Sequence, residues 1–168
     1  MNQTITTSEL INAAIAAENA ARDIYLAFKQ MFRHRQDVAD FWQTMADDEE
    51  EHARVLARVH GVVSVEDLTK RLDAAVAAKA YQLQTLDIDS LIGTVKNLND
   101  AYQTAYMLEA SEVNTVFSFL AINFLPKDES YNIISMCMDP HLLRLADFAM
   151  TFGNVDQCRK VSAFKEND

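Results

Sequence analysis

Residues 42–59 read WQTMADDEEEHARVLARV, and this stretch decides the fold. Glu49 and His52 lie one helical turn apart on a face that is otherwise apolar. The apolar residues of that face recur at helical spacing and are Trp42, Met45, Leu56 and Val59. The stretch therefore predicts a helix whose buried face carries two polar side chains.

A similar pattern precedes this stretch. Apolar residues at helical spacing predict a first helix over about 7–33. Thr6, with Glu9 three residues later, resembles a capping box at its start. Gly61 is expected to end the second helix, which contains the quoted stretch. The first two helices are thus predicted to form a helical pair.

Two further helices follow a long connection. The third is predicted to begin at Asp89 or Ser90 and to stop before Pro126, and the fourth covers about 129–152. The connection, 62–89, is long enough for a crossover and is expected to contain a short Ala-rich helix. Four long helices with one crossover predict an all-α, ferritin-like four-helix bundle.

Composition agrees with this architecture. The chain has 168 residues with three Gly and two Pro, which favours one domain of long helices over a turn-rich β fold. We expect the bundle to occupy residues 1–153, followed by a polar tail at 154–168. A net charge of −10 argues against nucleic-acid binding. The sequence also predicts no membrane span, no signal peptide and no disulfide scaffold, so a cytoplasmic location is expected.

Polar residues interrupt the apolar faces of all four helices. Burying ionised carboxylates without compensation costs on the order of several kcal/mol each, and carboxylates that converge in one core also repel each other. Bound cations would resolve both problems, and carboxylate oxygens with imidazole nitrogens suit iron or manganese best. The predicted metal ligands are therefore Glu18, Glu49, His52, Glu109, Glu112 and His141.

Other interpretations apply to some of these residues. Glu49 and His52 could form a salt-bridged pair in the core without metal, and Glu112 could be a solvated neighbour of Glu109. Tyr25 and Tyr106 are interpreted as core aromatic residues that hydrogen-bond to ligand carboxylates. The remaining acidic residues of the second helix are interpreted as ordinary solvated side chains: Asp47, Asp48, Glu50 and Glu51.

Three segments resemble the ligand helices of rubrerythrins. They are ENAARDIY at 18–25, TMADDEEEHAR at 44–54 and EASE at 109–112, and the resemblance covers about residues 8–152. It implies a di-iron carboxylate bundle, in a group whose members reduce peroxide, activate oxygen or oxidise ferrous iron. A di-iron oxidoreductase of the peroxidase or ferroxidase type is therefore the first functional prediction.

The resemblance also implies roles for single residues. By position, Glu18 and His52 would be terminal ligands, and Glu49 would bridge two metal ions. Glu109 would be a further ligand and Glu112 a redox-dependent one. Rubrerythrins usually carry a rubredoxin domain, and the two cysteines of this chain do not form such an iron site. An erythrin domain served by a separate electron-donor protein is therefore expected.

The fourth helix departs from the family pattern. Rubrerythrins have a Glu three residues before a His, whereas this chain has Met138 three residues before His141. A thioether is a poor ligand for ferric iron. Whether Asp139, after a kink at Pro140, or Cys137 contributes a ligand stays open, and zinc is an alternative metal. The second functional prediction is thus a degenerate bundle with an altered or mononuclear site, acting as a binding or structural protein.

A homodimer is also expected. Family members commonly dimerise, and the third and fourth helices carry more aromatic residues than the predicted core requires, namely Phe117, Phe124 and Tyr131.

Overall fold

The computed structural model describes residues 4–84, 87–110, 112–127 and 139–152. In these ranges two long helices are followed by three short ones, by two helices that lie within the predicted third helix, and by one helix within the predicted fourth. This all-α, ferritin-like arrangement confirms the predicted fold class. The bounds of the helices are α1 Thr7–Met31, α2 Gln36–Val62, α3 Val65–Thr69, α4 Ala74–Gln84, α5 Ile88–Thr94, α6 Leu98–Glu109, α7 Glu112–Phe124 and α8 Asp139–Phe152.

Helices α1 and α2 form an antiparallel pair. The predicted capping box is present, because the backbone N–H of Glu9 donates to the Thr6 hydroxyl and that of Thr6 donates to the Glu9 carboxylate. A turn at 32–35 reverses the chain. Phe28, near the end of α1, packs against Trp42, near the start of α2, with ring centroids 5.1 Å apart.

The crossover contains three short helices, α3, α4 and α5, where the sequence predicted one. Backbone hydrogen bonds join the crossover to the residues at the start of α1. The Thr7 N–H donates to the Lys70 carbonyl at 3.0 Å, and the Leu72 N–H donates to the Ile5 carbonyl at 2.8 Å. Helix α4 then packs against α1 and α7, so the crossover covers one side of the bundle.

The predicted start of the third helix is wrong. Asp89 and Ser90 belong to the separate helix α5, and α6 begins at Leu98. The physical reason is a cap: the Asn97 side chain accepts a backbone N–H of the first turn at 3.0 Å, which defines a new helix start. The third helix is also interrupted, because α6 ends at Glu109 and α7 is a distinct helix.

The core consists of two apolar clusters. Cluster I lies at one end of the bundle and is built around Leu10, Ile11, Leu56, Phe117 and Leu120. Cluster II lies at the other end and is built around Tyr25, Phe28, Trp42, Tyr102 and Phe148. On α1, cluster I stops at Ala17 and cluster II begins at Ala21, and on α2 the clusters are separated between Ala46 and Val55. A layer of other side chains therefore divides the core.

Helix α8 agrees with the second part of the predicted fourth helix, and residues 128–138 lie outside the described residues. Pro140 is the second residue of α8, where its missing N–H costs no helical hydrogen bond. The predicted tail at 154–168 also lies outside the described residues, so the domain boundaries stay a prediction. Within the described part of the chain, no helix has both the length and the apolar character that crossing a bilayer requires.

Candidate metal centre

Five of the six predicted ligands form the layer between clusters I and II. Glu18, Glu49, His52, Glu109 and His141 are each no more than 5% exposed. They come from four helices, α1, α2, α6 and α8. Carboxylate and imidazole groups are rarely buried this deeply unless they are paired or bind a cation.

The first half of the cluster joins α1 and α2. The Nδ1 atom of His52 lies 2.9 Å from Oε2 of Glu49 and 3.7 Å from Oε2 of Glu18. The other carboxylate oxygen of Glu18, Oε1, is buried and has no hydrogen-bond partner among the described residues. An oxygen left without a partner in an apolar core is one that a cation would compensate.

The second half joins α2, α6 and α8. The Nδ1 atom of His141 lies 3.0 Å from Oε2 of Glu109 and 3.4 Å from Oε1 of Glu49. Glu49 therefore presents one carboxylate oxygen to each histidine, and the two imidazole rings lie 5.0 Å apart by their centroids. The cluster is thus two Glu–His pairs with one shared carboxylate between them.

Tyr25 orients the second pair. Its hydroxyl donates to Oε1 of Glu109 at 2.5 Å, which leaves Oε2 of that carboxylate facing His141. Burial, together with the nearby charges of Glu109, Glu49 and Glu18, raises the pKa of Tyr25 well above its ordinary value. The tyrosine therefore keeps its proton at neutral pH. The prediction that Tyr25 hydrogen-bonds to one of the buried carboxylates is confirmed.

In the metal-free cluster, burial and the neighbouring carboxylates disfavour the ionised form of Glu49. Burial is the main reason that the pKa of Glu49 rises to about 8, and the charges of Glu109 and Glu18 add to it, whereas the bond to His52 opposes it. For His141, burial lowers the pKa. The hydrogen bond and charge of Glu109 and the charge of Glu49 raise it by more than burial lowers it, so the net shift is upward. Both shifts favour the protonated forms of these groups over the forms that would bind a metal ion.

The donor set fits a metal ion. Ligand atoms of Glu49, His52 and His141 all lie within 4.8 Å of one another, and all three residues are buried. Glu18 and Glu109 flank this group at the distances given above. Carboxylate oxygens and neutral imidazole nitrogens, the donors that the described residues bring together here, match non-haem iron or manganese. The buried Glu/His cluster can hold a metal ion.

Several predicted features lie outside what the structure describes. The Glu112 backbone begins α7, but its side chain is not among the described ones, so its role as a ligand stays a prediction. The same holds for Asp139, while Cys137 and Met138 lie in the segment 128–138.

Two interpretations of single residues change. Asp48 is not simply a solvated residue: its Oδ2 atom lies 3.2 Å from Nε2 of His141, and its side chain is only 30% exposed. The sequence signal for this contact was Arg144, which lies one turn after His141 on α8 and also contacts Asp48. Phe117 is fully buried and packs against the His52 ring, so it cannot support a dimer interface.

The stability of the metal-free protein should depend on pH. Glu49 and His141 both have raised pKa values in the folded state, so each stabilises the fold at low pH and loses that contribution as the pH rises through its folded pKa. For Glu49 the decline runs from about 4.5 to about 8. We therefore expect the free energy of unfolding, measured by denaturant titration in chelator, to fall between about pH 4.5 and about pH 8.

A matched pair of variants checks this dependence. Glu49→Gln should flatten it and stabilise the metal-free protein at the higher pH, because an amide carries no charge to bury. Glu50→Gln, at the exposed neighbouring position, should leave the slope unchanged. An unchanged slope in Glu49→Gln would show that Glu49 is not the group that titrates.

Comparisons with known proteins agree with this geometry. A sequence model of the rubrerythrin family matches residues 9–124, which is more than half of the chain. That range includes Glu18, Glu49, His52 and Glu109 but ends before His141, so the contribution of α8 to the cluster rests on the structure alone. No curated protein and no solved structure gives a match.

Proposed function

Because this chain belongs to the rubrerythrin family, we propose that it binds two non-haem iron ions in its Glu/His cluster and acts as an oxidoreductase on peroxide or dioxygen. The observation that carries the proposal is the position of Glu49. One of its oxygens faces His52 and the other faces His141, so one carboxylate serves two Glu–His pairs. This arrangement supports two neighbouring metal positions rather than one.

The residues divide between the two positions. Glu18 and His52 would hold one iron ion, Glu109 and His141 would hold the other, and Glu49 would bridge them. Glu112 is proposed as an additional ligand on the evidence of its spacing from Glu109 alone. When bound, iron would supply one-electron redox chemistry and Lewis acidity toward the oxidant.

The protein itself supplies protons, orientation and a dry environment. The pKa values of Glu49 and His141 are raised in the metal-free cluster, which favours their protonated forms, and a proton on a ligating atom must leave when the group becomes a ligand. Tyr25 keeps its proton and orients Glu109 through the 2.5 Å hydrogen bond. Clusters I and II close both ends of the layer with apolar side chains, which strengthens every electrostatic interaction inside it.

Anaerobic titration with ferrous iron tests metal binding. We expect two equivalents per chain, measured by competition with a chromophoric chelator. Saturation at a hundredfold excess over Kd should stabilise the fold by about 2.7 kcal/mol for each ion bound, and each ion should raise Tm by about 5–11 °C. Binding of less than one equivalent, or a Tm that metal leaves unchanged, would contradict the proposal.

The redox step is tested on the same material. Peroxide added to the ferrous protein should be reduced to water as the iron becomes ferric, which is followed by the absorbance change and by the peroxide left in solution. We propose that a separate electron-donor protein returns the iron to the ferrous state. Loaded protein whose iron stays ferrous after peroxide is added would rule out this activity.

A mononuclear site is the second candidate. The compact group of Glu49, His52 and His141 offers two imidazoles and one carboxylate within 4.8 Å, a ligand set that suits a single ferrous ion. One equivalent of iron per chain, with no change in absorbance on adding peroxide, would favour this candidate over the dinuclear site. The altered fourth-helix motif, with Met138 in place of a carboxylate, is the sequence feature that supports it.

A further inference from the structure

Asp48 makes a contact that its place in the sequence does not suggest. It precedes the buried Glu49 on α2, yet its carboxylate is directed toward α8. There its Oδ2 atom lies 3.2 Å from Nε2 of His141 and also contacts the guanidinium group of Arg144. His141 is 2% exposed, whereas Asp48 and Arg144 are partly exposed. A single carboxylate therefore connects α2 to two residues one turn apart on α8.

This contact distinguishes the two nitrogens of the His141 ring. Nδ1 faces the cluster, at 3.0 Å from Glu109, and Nε2 faces Asp48. A neutral imidazole carries one N–H and one lone pair, and an ionised carboxylate can only accept a hydrogen bond. A proton on Nε2, donated to Asp48, leaves the Nδ1 lone pair directed at Glu109 and Glu49.

Arg144 holds the carboxylate of Asp48 in place. The guanidinium and the imidazole lie on the same face of α8, because the two residues are three positions apart. The contact with the guanidinium group of Arg144 directs the Asp48 carboxylate toward α8. The exposed neighbour Asp47 instead accepts a hydrogen bond from Gln43 on its own helix.

We propose that Asp48, held by Arg144, is a positioning residue that fixes the tautomer and orientation of His141, so that Nδ1 is presented as a metal ligand. The inference rests on the proposed function, since it assigns a role in metal binding. Partners of this kind orient a ligating histidine and raise its basicity, and their loss typically weakens metal binding by about 10–100-fold.

Cobalt(II) is a suitable probe, because it replaces iron in oxygen and nitrogen sites and shifts the NMR signals of its ligands. In the cobalt-loaded wild type we expect a shifted imidazole N–H signal, assigned by its loss in His141→Gln, that exchanges slowly with water. In Asp48→Ala this proton should exchange fast, and cobalt affinity should fall by about 10–100-fold.

Three further variants control the experiment. Asp47→Ala removes the same charge from the adjacent position and should change cobalt affinity by less than about twofold, because an exposed charge acts weakly on a buried site. Asp48→Asn keeps an oxygen that can accept the hydrogen bond, so it should restore part of the slow exchange and of the affinity. Arg144→Ala should weaken binding in the same direction as Asp48→Ala, but less.

The outcomes separate the two proposals. If the wild type binds cobalt, and Asp48→Ala keeps both the slow exchange and the affinity, the role of Asp48 is refuted while the metal site stands. Equal losses in Asp47→Ala and Asp48→Ala would also refute it, because a general charge effect would then explain the result. If the wild type binds neither cobalt nor iron, the proposed function itself fails, and the role of Asp48 fails with it.

Discussion

Replacing Glu49 with Ala should abolish binding of two ferrous ions. Glu49 is the carboxylate that both histidines share, at 2.9 Å from His52 and 3.4 Å from His141. Without it each Glu–His pair keeps two ligands, which is fewer than the three protein ligands typical of a metal site with an open position. Loss of a residue that only hydrogen-bonds to a metal ligand typically lowers affinity by about 10–100-fold. We expect the affinity for iron to fall by more than this, with fewer than one equivalent bound.

The matched control is Glu50→Ala. Glu50 is adjacent in sequence and carries the same charge, but its side chain is half exposed and pairs with Arg54 on the surface. Its loss should leave the stoichiometry at two. Glu49→Ala that still binds two equivalents would rule out a shared carboxylate, and equal losses in both variants would indicate a general effect of helix charge.

Glu49→Ala weakens metal binding, but it should stabilise the metal-free fold at high pH. Burial raises the pKa of Glu49 to about 8, so keeping this group in the core disfavours its ionised form. A residue that stabilises the metal-bound state at the expense of the metal-free state is expected at a binding site and not at a structural salt bridge. Measuring both properties in Glu49→Ala therefore distinguishes the metal site from the salt-bridged pair that the sequence left open.

Trp42→Ala should cause the largest loss of stability. The indole is fully buried and contacts Tyr25, Phe28, Phe41 and Phe148 at ring distances of 4.8–5.8 Å. Truncating such a side chain typically costs about 3–5 kcal/mol, because the cavity cannot close fully. For a domain of this size we expect Tm to fall by about 6–20 °C, measured without metal so that ligand binding does not mask the change.

Two further variants serve as controls for Trp42→Ala. Trp42→Phe should lose less, since the indole Nε1 has no hydrogen-bond partner among the described residues and the ring itself supplies the packing. Met107→Ala, at a side chain that is 59% exposed on α6, should change stability by no more than about 0.5 kcal/mol. A loss below about 1 kcal/mol in Trp42→Ala would show that cluster II does not hold the bundle together as described.

The helices and the positions of the candidate ligands could be predicted from periodicity. Spacing of three and four residues assigns Glu49 and His52 to the face of Trp42 and Leu56, and both are buried as expected. The start of the third helix was missed, because the cap at Asn97 competes with an apolar pattern that begins earlier. Local hydrogen bonds at a helix end decide such boundaries, and periodicity does not contain them.

The sequence by itself determined that this chain forms a helical bundle, and that carboxylates and histidines occupy the inner faces of its helices. Only the tertiary structure decided how these groups meet. It placed Glu49 between two histidines, Tyr25 on Glu109, and Asp48 on the outer nitrogen of His141. The physical reason is that spacing along a helix defines which face a residue occupies. The rotation and register of one helix against another, and the rotamers that follow, depend on contacts between residues far apart in the chain.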